Sequence, residues 1–145
     1  MSSTEERNMV VVSEFLAACE RFDFDAAWEL VTDDFHYRNH PFPRTKIAAS
    51  SKKQLSILVG FLDQFKIETH HMAADGDVVL TDRNDVFISW FCYLSLPVKG
   101  TFKLRDGKLC AWDDHFDFLT LTILGIKSPF IVLFNLFKKK TMKSN

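Results

Sequence analysis

Val78-Val79-Leu80-Thr81-Asp82-Arg83-Asn84-Asp85-Val86-Phe87-Ile88 reads as a β-strand: β-branched and aromatic residues dominate it, and Asp75-Gly76 supplies a turn before it. Side chains two apart on a strand share a face, so Arg83 and Asp85 stand together with Val79, Phe87 and, on a longer strand, Phe91. That face is otherwise apolar, which predicts burial. Burying a carboxylate with a guanidinium costs desolvation energy that their attraction offsets only when further hydrogen bonds satisfy both groups. Two readings stay open here: an ion network that ties strands together, or the centre of the protein's chemistry.

The same parity turns polar groups inward on two other segments. In Phe35-His36-Tyr37-Arg38-Asn39-His40, ended by Pro41-Phe42-Pro43, one face holds Phe35, Tyr37 and Asn39 and the other His36, Arg38 and His40. An inward phenol and amide need partners, and a structural hydrogen bond accounts for them as well as a site does. Farther on, residues 98–104 and 109–118 are predicted to form a hairpin about Arg105-Asp106-Gly107-Lys108. Its second strand places Cys110, Trp112, Asp114, Phe116 and Phe118 on one face, and Asp113, His115 and Asp117 in a charged row toward solvent. Asp85, Arg83, Asp114, Tyr37 and Asn39 therefore combine two carboxylates, a cation and two neutral hydrogen-bonders. Two neighbouring carboxylates in an apolar pocket do not both ionise easily, so one serves as acid and the other as base. Such a pair can deprotonate water while it protonates a leaving oxygen. Phe35, Trp112, Phe116, Phe87 and Leu62 are the expected apolar walls of that pocket.

Around these strands the pattern is helical. Ser3-Thr4-Glu5-Glu6 has capping-box spacing and precedes a stripe of Met9, Val12, Phe15, Leu16 and Cys19. Asp23 caps a short helix with Phe24, Ala27, Trp28 and Val31 inward. Ser51-Lys52-Lys53-Gln54 opens another, with Leu55, Leu58, Val59, Leu62 and Phe65 inward, and a strand over 67–73 follows. The long strand is expected to run on toward Tyr93 and break near Pro97, which has no amide to donate.

Composition narrows the class. A chain of 145 residues, 47% hydrophobic and 26% charged, suits one soluble domain with a substantial core, and fifteen phenylalanines suggest a greasy interior. A net charge of −1 argues against nucleic acid as a partner. The three cysteines, Cys19, Cys92 and Cys110, are odd in number and widely spaced, which points to a reducing, cytoplasmic setting. The polar N-terminus does not read as a signal peptide. His70 and His71 point to opposite strand faces and chelate poorly. With no phosphate-binding glycine loop and no metal-ligand cluster in the sequence, neither cofactor nor metal is expected.

With those residues in place, Tyr37-x-Asn39-x-Pro41, Asp82-Arg83-Asn84-Asp85-Val86, and Leu96-Pro97-Val98-Lys99-Gly100 through Trp112-Asp113-Asp114-His115-Phe116-Asp117 resemble the limonene-1,2-epoxide hydrolase family, over roughly residues 5 to 118. The resemblance implies an α+β fold: a cone-shaped, curved mixed β-sheet packed on N-terminal helices, as in nuclear transport factor 2-like, SnoaL-like and cystatin-like proteins. Carried over, it makes Asp85 the acid that protonates the epoxide oxygen. Asp114 becomes the base for a water also held by Tyr37 and Asn39, with Arg83 bridging the aspartates. It further implies a small apolar epoxide, terpene-like or lipid-like, with water as co-substrate, a vicinal diol as product, no metal, a homodimer, and a role in detoxification or lipid metabolism. An isomerase or cyclase of this fold and a noncatalytic lipid-binding module are the alternatives.

The end of the chain departs from the family. Residues 1–127 are expected as the domain and 128–145 as an apolar, then basic, tail ending in Lys138, Lys139, Lys140 and Lys143. Ser128 as N-cap and Pro129 at the first helical position are expected to start a short helix, with too few residues to span a bilayer. The tail is open to three readings: closure of the pocket or a dimer contact, peripheral membrane contact through residues 129–143, or partial disorder.

Overall fold

The computed structural model describes residues 3–40 and 46–142. Pro41-Phe42-Pro43, expected to end the first strand, lie outside them. Helices α1 (Ser3–Glu20) and α2 (Phe24–Glu29) lead into β1 (Val31–His40), β2 (Lys46–Ile47) and α3 (Ala48–Val59). Strands β3 (Gln64–Asp75), β4 (Val78–Ile88), β5 (Tyr93–Arg105) and β6 (Lys108–His115) follow, then α4 (Phe118–Met142). The strands form one curved sheet in the order β2-β1-β6-β5-β4-β3. It is mixed, because β1 runs parallel to β6 while the other neighbours are antiparallel. The expected α+β architecture is the one observed.

The stripe on α1 is buried against the sheet: Val12, Phe15, Leu16 and Cys19 meet Phe35 of β1, Val79 of β4, Phe102 of β5, and Leu109 and Trp112 of β6. Phe15 meets Trp112 edge-on at 5.3 Å, a favoured geometry for paired aromatic rings. Asp23 caps α2 as expected, accepting the Ala26 amide at 3.1 Å.

Several boundaries differ from the sequence reading. Val31 belongs to β1, where it pairs with Leu109, and not to α2. Helix α3 begins at Ala48, so Ser51 sits within its first turn and does not open it. The same helix stops at Val59, where Gly60 follows, and Phe65 joins β3 and stacks on Phe87 at 5.1 Å. The break after β4 falls at residues 89–92, where Ser89 and Cys92 exchange backbone hydrogen bonds, so Phe91 lies outside the strand. Pro97 is within β5, paired with Asn84. It is tolerated because β6 joins β5 only from Lys99 onward, leaving Pro97 with a strand on one side alone. An irregularity between Lys103 and Leu104 shifts the β5–β6 register, so Leu109 is buried while Cys110 is not.

The largest difference is at the end. Phe118 starts a helix instead of ending a strand. That helix runs unbroken past Ser128, with Pro129 inside it. Asp117 is its cap, accepting the amides of Leu119 (3.2 Å) and Thr120 (2.9 Å). The Ser128 hydroxyl caps nothing; it faces β5, accepts the Tyr93 amide at 2.6 Å and donates toward the Cys92 sulfur at 3.2 Å. The length argument against spanning assumed a helix starting at Ser128. The observed helix holds a 19-residue segment, Phe118–Leu136, long and apolar enough to cross a membrane.

Candidate active site

Strand pairing sets the site. Asn39 lies beside Asp114, Asp114 beside Gly100, and Gly100 beside Thr81, so β1, β6, β5 and β4 present one row of residues in that order. Arg83 and Asp85 are two and four residues along β4 from Thr81, on the same face.

Arg83 on β4 must pass over β5 to reach Asp114 on β6, about 10 Å away at ordinary strand spacing. Gly100 provides the passage. A Cβ there would stand 2.3 Å from Arg83 Nη1, 2.6 Å from Thr81 Oγ1 and 2.9 Å from the Phe102 ring. Any side chain at position 100 therefore competes with the guanidinium for the same space. The Arg83 side chain is wholly buried, with its guanidinium carbon 6.0 Å from the Phe102 ring centre and 5.7 Å from that of Trp112.

The guanidinium is almost fully used. Its Nε donates to Asp85 Oδ1 at 2.9 Å, and Nη2 to Asp85 Oδ2 at 3.3 Å and to Asp114 Oδ2 at 2.7 Å. Nη1 donates to Thr81 Oγ1 at 3.2 Å. Asp114 Oδ1 accepts the Trp112 indole N–H at 2.6 Å. Beside it the Tyr37 hydroxyl donates to Asn39 Oδ1 at 2.9 Å, which leaves the Asn39 amide nitrogen as a donor. The five polar residues singled out from sequence thus meet in one place.

Burial pushes the Asp85 carboxyl up to about 6; Arg83 opposes that shift and Asp114 adds to it. Burial also raises Asp114, against the guanidinium and the indole donor, both of which favour its anion. Tyr37 is held well above the usual phenol range by burial and then by Asp114, so it stays protonated. Asp85, raised to about 6 and facing the cavity, is suited to act as an acid. Asp114, with a short donor on each oxygen, is suited to be the anion that accepts a proton from water.

The two carboxylates, Tyr37 and Asn39 open into a cavity of about 400 Å³ walled by Leu62, Phe87, Leu94, Leu96, Val98, Phe116 and Leu121. Leu62, Phe87 and Phe116 are where the sequence reading put them. Phe35 and Trp112 are not walls: both are buried in the core, Phe35 against Phe15 and Trp28, and Trp112 behind Asp114. Parity assigned them to the correct face but not to a depth along it. Leu94, Leu96 and Val98 are walls that the sequence reading does not assign, because it breaks β5 at Pro97 and so separates the first two from 98–104; Leu121 is missing because the helix is expected only from Ser128. Gly100, Thr81 and Trp112 support the site; Gly100 and Trp112 stand in the segments that carry the resemblance, but only a glycine in mid-strand, which marks close approach, signals this role, and nothing in the sequence marks Thr81. Among the described residues no three His, Cys, Asp or Glu side chains are grouped to hold a metal ion.

Comparison with known proteins agrees with this geometry. The family model for the limonene-1,2-epoxide hydrolase catalytic domain matches residues 6–125. The chain is 33% identical over 106 residues to epoxide hydrolase EphG of Mycobacterium tuberculosis, covering 73% of this chain and 70% of that one. The solved structure of an M. tuberculosis LEH-like epoxide hydrolase superposes with a TM-score of 0.82 at 26% identity, over 90% of this chain and 98% of that one. A SnoaL-like polyketide cyclase from Shewanella denitrificans OS-217 has a TM-score of 0.75 at 15% identity, over 81% and 95% of the two chains, a likeness of fold alone.

Proposed function

The chain belongs to the limonene-1,2-epoxide hydrolase family, and we propose that it adds water in one step to an apolar epoxide, terpene-like or lipid-like, to give a vicinal diol. The observation that carries the reading is Arg83 bonded to both Asp85 and Asp114 at the polar end of an otherwise apolar cavity.

The epoxide ring lies against Asp85 with its carbon skeleton among Leu94, Leu96, Phe87 and Phe116. A water molecule sits between Asp114 and the Tyr37–Asn39 pair, donating one hydrogen bond to Asp114 and accepting from Asn39. As the water oxygen forms its bond to an epoxide carbon, the carbon–oxygen bond of the ring breaks. Asp114 takes the proton from water while Asp85 gives its proton to the ring oxygen. No bond forms between protein and substrate. Turnover leaves Asp85 ionised and Asp114 protonated, and the proton returns between two carboxyls that one guanidinium holds together. In the same reading the enzyme is a cytoplasmic homodimer, needs no cofactor, and serves detoxification or lipid metabolism.

Single turnover in heavy-oxygen water, with enzyme in excess over a panel of cyclic terpene, styrene-type, fatty-acid and sterol epoxides, tests the proposal. The expected product carries one labelled oxygen from the first turnover. An unlabelled first-turnover diol would mean a carboxylate ester intermediate, and an unlabelled isomer would mean rearrangement without water. Either result overturns the one-step reading.

A further inference from the structure

The reaction gives the outer surface of α4 nothing to do, yet that surface is the most apolar exposed part of the described chain. The helix packs on β5, with Leu121 in the cavity wall and Ser128 tied to β5 by the hydrogen bond from the Tyr93 amide. On its opposite side Leu119, Ile123, Ile126 and Phe130 follow one another at intervals of three and four, and Leu133 and Phe134 lie three and four beyond Phe130, a continuous apolar row. Leu119, Ile126, Phe130 and Phe134 are each at least 65% exposed. Ser128 meets Tyr93 and Cys92, so this half of the helix lies next to the turn at 89–92, which holds Trp90 at 81% exposure and Phe91 at 48%. One end of the molecule thus gathers exposed apolar and aromatic side chains from two separate segments.

The sequence adds a sign. Residues 118–145 contain Lys127, Lys138, Lys139, Lys140 and Lys143 and no acid, a charge of +5, whereas residues 1–117 hold 13 basic and 19 acidic residues, or −6. A second copy docked through this segment would add +5 to +5. An anionic surface would not.

We propose that this end of the molecule, the outer row of α4 with the Trp90–Phe91 turn, docks on a lipid bilayer that carries anionic headgroups. Apolar side chains enter the acyl boundary and the lysines after Phe137 meet the headgroups. The helix lies in the interface and does not cross: Leu121 is part of the cavity wall and Ser128 is bonded to β5, so a spanning helix would have to abandon both. The cavity reaches this end too, because Phe87 and Leu94 of its wall flank the 89–92 turn. A bilayer-dissolved ligand therefore has a short path inward. The docking surface itself is independent of the chemistry assigned to the aspartates.

Flotation of the full chain on vesicles of phosphatidylcholine, with and without phosphatidylserine, is the test. Binding is expected to phosphatidylserine vesicles and to fall with added salt. The triple variant Lys138→Glu, Lys139→Glu, Lys140→Glu should weaken it at least about a hundredfold, at roughly 1 kcal/mol per lysine near the surface. Phe130→Asp with Phe134→Asp should abolish it. Lipids brominated in the acyl chain should quench the tryptophan fluorescence of bound protein, and Trp90→Phe should remove most of that quenching, since Trp112 is buried and Trp28 packs against Phe15, Phe24 and Phe35. Far-UV circular dichroism shows that each variant is folded. Absence of binding to both vesicle types overturns the proposal. So does binding indifferent to the lysines, or a dimer in sedimentation that Phe130→Asp dissociates while vesicles are ignored.

Discussion

Asp85→Asn keeps the shape of the side chain and removes the proton the proposed reaction needs; Asp114→Asn removes the base. Each substitution should lower kcat by about 10²–10⁴-fold, the usual worth of a positioned acid or base, with circular dichroism unchanged. Near-native turnover by either variant would remove that residue from the mechanism. The pair carries one proton when active, so its two titrations bound the pH range. With the Asp85 carboxyl pushed up to about 6, kcat/KM should fall as pH rises beyond that point and the acid loses its proton. A profile level to pH 9 or so would disprove the assignment. Stability follows the same sign. The folded value of Asp85 lies above its ordinary 3.8, so its contribution is complete below that lower value and is lost as pH rises through about 6. Thermal midpoints should therefore show wild type losing ground to Asp85→Asn between about pH 4 and pH 7. Gly100 gives a different kind of prediction. A methyl group there meets Arg83, Thr81 and Phe102 at less than 3 Å, so Gly100→Ala should cost about 1–3 kcal/mol by overpacking and misplace the guanidinium. Calorimetry reads the first effect and kcat the second, and only the two together fit a glycine that admits Arg83.

Among the elements, α4 starts at a side-chain cap that can be tested by one substitution. Asp117 accepts two amides of its first turn, so Asp117→Ala should cost about 1 kcal/mol and lower the thermal midpoint by roughly 2–4 °C. An unchanged midpoint would mean that docking on β5 alone holds the helix. This element also shows where the sequence was legible and where it was not. Strand parity needs only local alternation, and it assigns Tyr37 and Asn39, Arg83 and Asp85, and Asp114 to the inward faces of their strands from the sequence alone. Helix and strand limits depend on neighbours that are distant in sequence. Ser128-Pro129 has the local pattern of a helix start, but the Tyr93 amide engages the hydroxyl and the helix continues through the proline. Pro97 has the local pattern of a strand break, but β6 does not reach that point of β5, so its missing amide deprives no neighbouring strand. In each case a tertiary contact overrode a sound local rule. Trp112 and Phe35 add the converse lesson. Alternation tells which face a side chain joins, whereas its distance along the cone decides between core and cavity, and that distance is fixed by α1 packing on β6.

At the scale of the whole molecule, the chain divides the interior between a core under α1 and a cavity beyond it, with the buried Arg83 group at the boundary. The cavity wall has three origins: the strands of the sheet, the connections that carry Leu62 and Phe116, and α4, which meets the cavity through Leu121. A cavity of about 400 Å³ lies toward the small end of ligand sites, so volume added or removed on α4 should alter which epoxides fit without disturbing the polar groups opposite. Leu121→Ala should raise kcat/KM for bulky epoxides relative to small ones, and Leu121→Phe should do the reverse. Each change in preference should be about 10-fold or more, since a methylene in an apolar pocket is worth about 1–3 kcal/mol. The measurement is the ratio of kcat/KM for a large and a small epoxide of equal ring reactivity, which cancels any common loss from a loosened helix. If both substitutions leave that ratio unchanged, α4 does not limit the substrate, and selection must reside in Phe87, Leu94 and Phe116 on the sheet and its exit.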